Sequence, residues 1–111
     1  MPADPAIVQQ REAVARAAIR DAFGTPDDES GATLFVSHHL EEIGPEYWQQ
    51  HLGSATPEPV RVLDIIQLRD TWGGDDDLDT FDFTLPDDVT QYVISVSFDE
   101  AGVVEGISME S

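Results

Sequence analysis

The sequence predicts an α+β domain, with two to three N-terminal helices packed on one face of a three- to four-stranded antiparallel sheet. Two observations of pattern lead there. Apolar residues recur at helical spacing as far as Gly53 and at the alternating spacing of strands beyond Pro59. The change of period happens once, so helices precede strands instead of interleaving with them as in a parallel βαβ design. Length supplies the third: 111 residues make one domain over 1–111, with a helical part at 1–53 and a sheet part at 60–111. A chain of this size buries roughly two-thirds of its unfolded surface, and a hydrophobic content of 41% is enough to supply that core.

The elements follow in order. Asp4 before Pro5 is a helix start, a capping carboxylate followed by proline at the first helical position. Ile7, Val14, Ala18, Ile19, Ala22 and Phe23 then form an apolar stripe, and Gly24 is the stop. Arg11, Arg16 and Arg20 on this helix predict a locally basic face. Thr25 to Gly31 is turn-rich and acidic. Val36, Leu40 and Ile43, with Phe35 alongside, predict a second helix from Ala32 to Ile43. Gly44-Pro45 breaks it and opens a third to Leu52, with Tyr47, Trp48 and Leu52 on its apolar side and Gly53 as its stop. Ser54 to Pro59 is a linker of turn residues.

Val60, Val62, Ile65, Ile66 and Leu68 form a β-rich run of mixed period, read as a strand with an irregularity near Asp64. Arg61, Asp64 and Gln67 recur every three residues and keep a helix open there. Phe81, Phe83 and Leu85 alternate with Asp82 and Thr84, a half-buried strand, and Pro86-Asp87-Asp88 turns the chain. Tyr92, Ile94, Val96 and Phe98 share one face of the next strand, with Ser95 and Ser97 on the other. Asp99-Glu100-Ala101-Gly102 fits a type I turn with glycine in the left-handed position, returning as a strand from Val103 to Met109.

Charge sets the functional limits. Five basic residues, all arginine (Arg11, Arg16, Arg20, Arg61, Arg69), stand against 23 acidic ones, for a formal net charge of -18. Such a field repels phosphate backbones and anionic lipid, so neither nucleic acid nor membrane is an expected partner. The absence of cysteine removes disulfides, thiol catalysis and thiolate metal sites. The first residues lack the basic and apolar regions of a signal peptide, and the expected location is the cytoplasm. A GC-rich coding bias or salt adaptation would produce the same acidity as a merely solvated surface, and those readings stand beside a functional one.

Four constellations bear on chemistry. His38-His39 with Glu41, Glu42 and His51 place His38 and Glu42 on one helical face, as metal ligands require. The His-Glu-x-x-His spacing of zinc proteases is missing, and solvated or capping roles are preferred. Asp75, Asp77 and Asp79 match the first three calcium-ligand positions of an EF-hand, but Thr80 and Pro86 stand where glycine and glutamate belong, so a charged loop is the preferred reading. Paired carboxylates have little diagnostic value among 23. No phosphate-cradling loop, nucleophile elbow or lysine is present, and neither an enzyme nor a cofactor is expected. Tyr47, Trp48, Trp72, Phe81 and Phe83 are the aromatic set; most of such residues are core, and Trp48 and Trp72 are the candidates for a partner surface.

The segments Phe81–Leu85, Thr90–Gly102 and Ile107–Ser111, with His38-His39-Leu40-Glu41-Glu42 upstream, resemble a family of small bacterial proteins catalogued as a domain of unknown function, numbered two thousand and four. The resemblance spans roughly the last two-thirds of the chain. It implies a bacterial α+β protein and supplies no catalytic residues; this chain is more acidic than the family pattern.

The expected function is therefore an acidic protein-interaction module, such as an immunity-type inhibitor of a basic partner, steered by charge into fast encounter. Asp75, Asp76, Asp77 and Asp79, with Trp72 and Trp48, are its candidate contact residues, and mimicry of a nucleic acid by its carboxylates is a special case. The alternative is a metal-binding or hydrolytic domain using His38, Glu42 and His51, or the Asp75–Asp79 loop.

Overall fold

Proline and glycine punctuate the helical layer. A computed structural model of the chain describes residues 5–29, 31–73, 79–99 and 101–110. Helix α1 spans Pro5–Ala22, α2 spans Ala32–Glu42 and α3 spans Pro45–Leu52. Proline opens α1 and α3, where its missing N–H costs nothing. Gly24 and Gly53 follow α1 and α3 at φ +83 and +72, the left-handed conformation that releases a chain from a helix. The expected cap Asp4 lies outside the described residues.

The start of α2 is built by a side chain instead. Asp28, buried in a short 3₁₀ turn, accepts hydrogen bonds from the Ala32 and Thr33 amides at 3.2 and 2.8 Å and from the Thr33 hydroxyl at 2.9 Å. Thr33 Oγ1 in turn accepts from the Gly24 amide at 2.8 Å, tying the end of α1 to the start of α2. The carboxylate sits where the helix leaves its first N–H groups unpaired and favours negative charge. Gly31 is required by contact: a Cβ there would collide with Asp28 Oδ1 and stand 3.0 Å from the Ile107 carbonyl.

Four strands, β1 Gln67–Trp72, β2 Thr80–Thr84, β3 Val93–Phe98 and β4 Val104–Glu110, form one antiparallel sheet in the order β1-β2-β3-β4. The fold is α+β, as predicted. Pairing aligns Leu68, Phe83, Ile94 and Met109 across the sheet, and likewise Thr71, Phe81, Val96 and Ile107. The three helices cover this side, and Ala15, Ile19, Phe35, Val36 and Trp48 join Phe81, Phe83, Ile94 and Val96 in a single core. Side chains alternate along a strand, so the other side carries the rows Asp70, Asp82, Ser95, Ser108 and Trp72, Thr80, Ser97, Gly106. No described helix lies across these rows. Among the described residues, no helix is long and apolar enough to cross a membrane.

Three expectations are corrected. Pro59–Asp64 is a 3₁₀ helix burying Val62 and Leu63, not part of a strand, and β1 begins only at Gln67. Ion pairs hold the short helix: Asp64 receives Arg61 at 3.4 Å and Arg20 of α1 at 2.5 Å, while the Arg61 guanidinium also donates to the Leu52 carbonyl at 3.3 Å. The strand irregularity falls between Leu68 and Asp70 rather than at Asp64. The buried stripe of α1 runs through Val8, Ala15 and Ile19, leaving Ile7 and Val14 43% and 42% exposed. The hairpin matches its expectation: Gly102 has φ +79, and Asp99 Oδ1 accepts from the Ala101 and Val103 amides at 2.9 and 3.0 Å.

Candidate functional site

The histidine set is dispersed to structural tasks. His39 is only 1% exposed, and its Nδ1 lies 2.6 Å from the Phe35 carbonyl. A carbonyl only accepts, so Nδ1 carries the proton and Nε2 accepts from the Thr90 hydroxyl at 2.9 Å. Thr90 Oγ1 accepts from the Tyr92 amide at 3.2 Å, completing a chain from backbone to backbone. Burial, the largest cause, lowers the His39 pKa, and neighbouring His38 adds to the effect against the opposing Phe35 hydrogen bond.

The β2–β3 connection receives the other histidines too. His38 meets Tyr92 edge-on at 5.2 Å, and His51 from α3 contacts Asp87 Oδ2 at 3.0 Å. The Tyr47 hydroxyl donates to the Pro86 carbonyl at 3.0 Å. Burial, then the Asp87 carboxylate, pushes that phenol up to about 12. Asp87 and Asp88 are held at φ 67 and 51, a left-handed conformation that aspartate tolerates better than most side chains. The helix break at Gly44 turns α3 so that His51 reaches Asp87 instead of joining His38 and Glu42. Among the described residues, no three histidine, aspartate or glutamate side chains are placed to share a metal ion.

The two tryptophans part company. Trp48 is 2% exposed in the core, so it is not a surface contact residue; its indole N–H has no hydrogen-bond partner among the described residues, and its ring meets Tyr47 edge-on at 5.0 Å. Trp72, at the end of β1, is 51% exposed on the open side of the sheet. Its Nε1 donates to Asp82 Oδ2 at 3.0 Å, and the Ser95 hydroxyl donates to Asp82 Oδ1 at 2.6 Å. Three strands thus contribute one residue each to a fixed chain of Trp72, Asp82 and Ser95. Asp70 lies opposite Asp82 and two residues before Trp72, on the same face. Like charges facing each other across strands are unfavourable in the free protein, and a cation placed between them would relieve that repulsion.

Asp79, exposed just before β2, pairs through its backbone carbonyl with the amide of core-facing Phe98 at 2.7 Å and adjoins open-face Thr80, so alternation does not bring its side chain to this face. Asp75, Asp76 and Asp77, nominated from the sequence, lie outside the described residues.

The arginines of α1 do not form the expected free basic face. Arg16 lies over the Phe83 ring at 5.0 Å, pairs with Glu12 at 2.8 Å and donates to the Ile66 carbonyl at 3.0 Å. Arg11 lies over Phe98 at 5.6 Å, beside Gly102, and Arg20 is held by Asp64. These guanidinium groups belong to the helical side, where they bind the layers together. Asp70, Asp82 and Glu110 belong to the open side. Asp70, Ser95 and the role of Asp82 were missed from sequence. The available signal was period two: Asp70 shares parity with Trp72, and Asp82 and Ser95 oppose the apolar parity of their strands.

No protein-family model matches the chain, and searches of curated proteins and of solved structures find no match either.

Proposed function

We propose that this chain is an acidic protein-interaction module, an immunity-type inhibitor of a basic partner, and that it meets the partner with the open face of its sheet. One observation carries the reading. Arg11, Arg16, Arg20 and Arg61 are engaged on the helical side, while Asp70 and Asp82 face each other on the open side beside a half-exposed tryptophan. Carboxylates on one face direct the field and raise the encounter rate with a cationic protein. An exposed, oriented indole is the side chain that most often anchors such an interface. The proposed compartment is the cytoplasm, in keeping with a chain that has no cysteine.

The test is retention of a basic protein from an extract of the source cell at low ionic strength, followed by measurement of the purified pair. Affinity is expected to fall steeply with salt, because exposed charges beyond about 10 Å are screened at 0.1 M. Asp70→Asn with Asp82→Asn is expected to abolish most of it. Retention of no basic protein at low salt, or an affinity indifferent to both substitutions, overturns the reading.

A further inference from the structure

We infer that the open face recognises arginine in preference to lysine, by seating a guanidinium on the indole of Trp72 beside the carboxylates of Asp70 and Asp82. The inference rests on the acidic-module reading above and adds the chemistry of the group the partner must present.

Four features carry it. First, Trp72 is the most exposed aromatic residue at the sheet surface, and the Asp82 hydrogen bond fixes how its ring is presented. Asp82 is itself held by Ser95, so the indole rests on a rigid strand and little side-chain freedom remains to be lost on binding. Second, the charge complements a cation. Asp70 and Asp82 face each other on the side of the sheet that carries the ring.

Third, the protein already uses this interaction inside. Arg11 and Arg16 lie over Phe98 and Phe83, while among the described residues no guanidinium lies over Trp72, which has the strongest cation-binding ring of the three. Fourth, the geometry suits a plane better than a point. A guanidinium stacks flat on an aromatic face and offers its N–H fork in that plane to flanking carboxylates, whereas a lysine ammonium is strongly hydrated and makes one compact contact. Among the described residues, Asp82 has each carboxylate oxygen engaged once, and Asp70 Oδ1 accepts from the Thr71 amide at 2.9 Å; a carboxylate oxygen that accepts once has a further lone pair for a donor from the partner.

The experiment compares hexa-arginine and hexa-lysine peptides, equal in charge, against the full chain at low ionic strength by calorimetry. Emission of the exposed Trp72 serves as a second readout and that of the buried Trp48 as the internal reference. The expected result is tighter binding of hexa-arginine by about two- to fivefold, the size of one exposed cation–π contact, and loss of that preference in Trp72→Leu. Asp70→Asn is expected to weaken both peptides together. Because Trp72 is half exposed, Trp72→Leu keeps the fold, which circular dichroism verifies. Equal affinity for the two peptides, or an arginine preference that persists in Trp72→Leu, overturns the inference while leaving the acidic module standing. Binding of neither peptide overturns both.

Discussion

The two faces of the sheet are made by alternate residues of the same strands, yet one is packed into the core and the other is largely polar. Along β2, Phe81 and Phe83 point into the helical layer, while Thr80, Asp82 and Thr84 point away from it. Along β3, Ile94 and Val96 do the first and Ser95 and Ser97 the second. On the covered face an arginine closes the gap between layers, Arg16 lying over Phe83 and donating to the Ile66 carbonyl. On the open face the polar contacts run along the surface, from Trp72 to Asp82 to Ser95, and orient a side chain that remains half exposed. The difference teaches that core packing and surface chemistry are separable here at single-residue resolution, because a strand delivers alternate residues to opposite sides.

The comparison is broken most severely from the covered side. Phe83→Ala removes a fully buried ring and the platform for Arg16, and is expected to cost about 3–5 kcal/mol in urea unfolding. On the open face Trp72→Leu is expected to stay within about 0.5 kcal/mol of the parent. Similar losses from the two substitutions would show that the open face is structural after all.

A smaller effect is expected where the helical layer meets the sheet edge. Gly31→Ala forces a methyl group against Asp28 Oδ1 and the Ile107 carbonyl. Disturbing the cap and overfilling the contact is expected to cost about 1–3 kcal/mol. Thermal denaturation measures it, and an unchanged melting temperature would show that Asp28 does not hold the start of α2.

Protonation sharpens the comparison most gently. His39 is buried on the covered side, and its pKa is lowered from 6.5, chiefly by burial. The unfolded chain therefore binds more protons than the folded one below pH 6.5. Stability contributed by neutral His39 is fully present above that pH and is lost as pH falls from 6.5 toward the folded value. Melting measured on both sides of pH 6.5 is expected to show this loss in the parent and not in His39→Gln. An identical slope in the two proteins would remove His39 as its source.

How much of this was legible follows from the range of the forces involved. The helices and the hairpin were readable because Pro5, Gly24, Pro45, Gly53 and Gly102 act on their immediate neighbours, through a fixed φ or a tolerated positive one. The stretch from Pro59 to Leu68 was not. Its apolar residues suit a strand or a helical turn about equally, and the fold settled it by burying Val62 and Leu63 in the core, with Asp64 meeting Arg20, 44 positions away in the chain, at the surface. The buried stripe of α1 was ambiguous for a similar reason, since Ile7 and Val14 offer an apolar line beside that of Val8 and Ala15. Packing against the sheet selected one of them.

For the candidate site, the excess of acid and the aromatic nominees were visible at once, but their sorting was not. Nothing local distinguishes Trp48 from Trp72; burial of one and exposure of the other follow from the layer each occupies. What the chain by itself determined is the order of elements, their stops, and the sign of the field, all consequences of backbone preference and composition. Strand register and helix placement decided which carboxylates became neighbours and which arginines were consumed in packing, because those contacts join residues that only a folded core brings together.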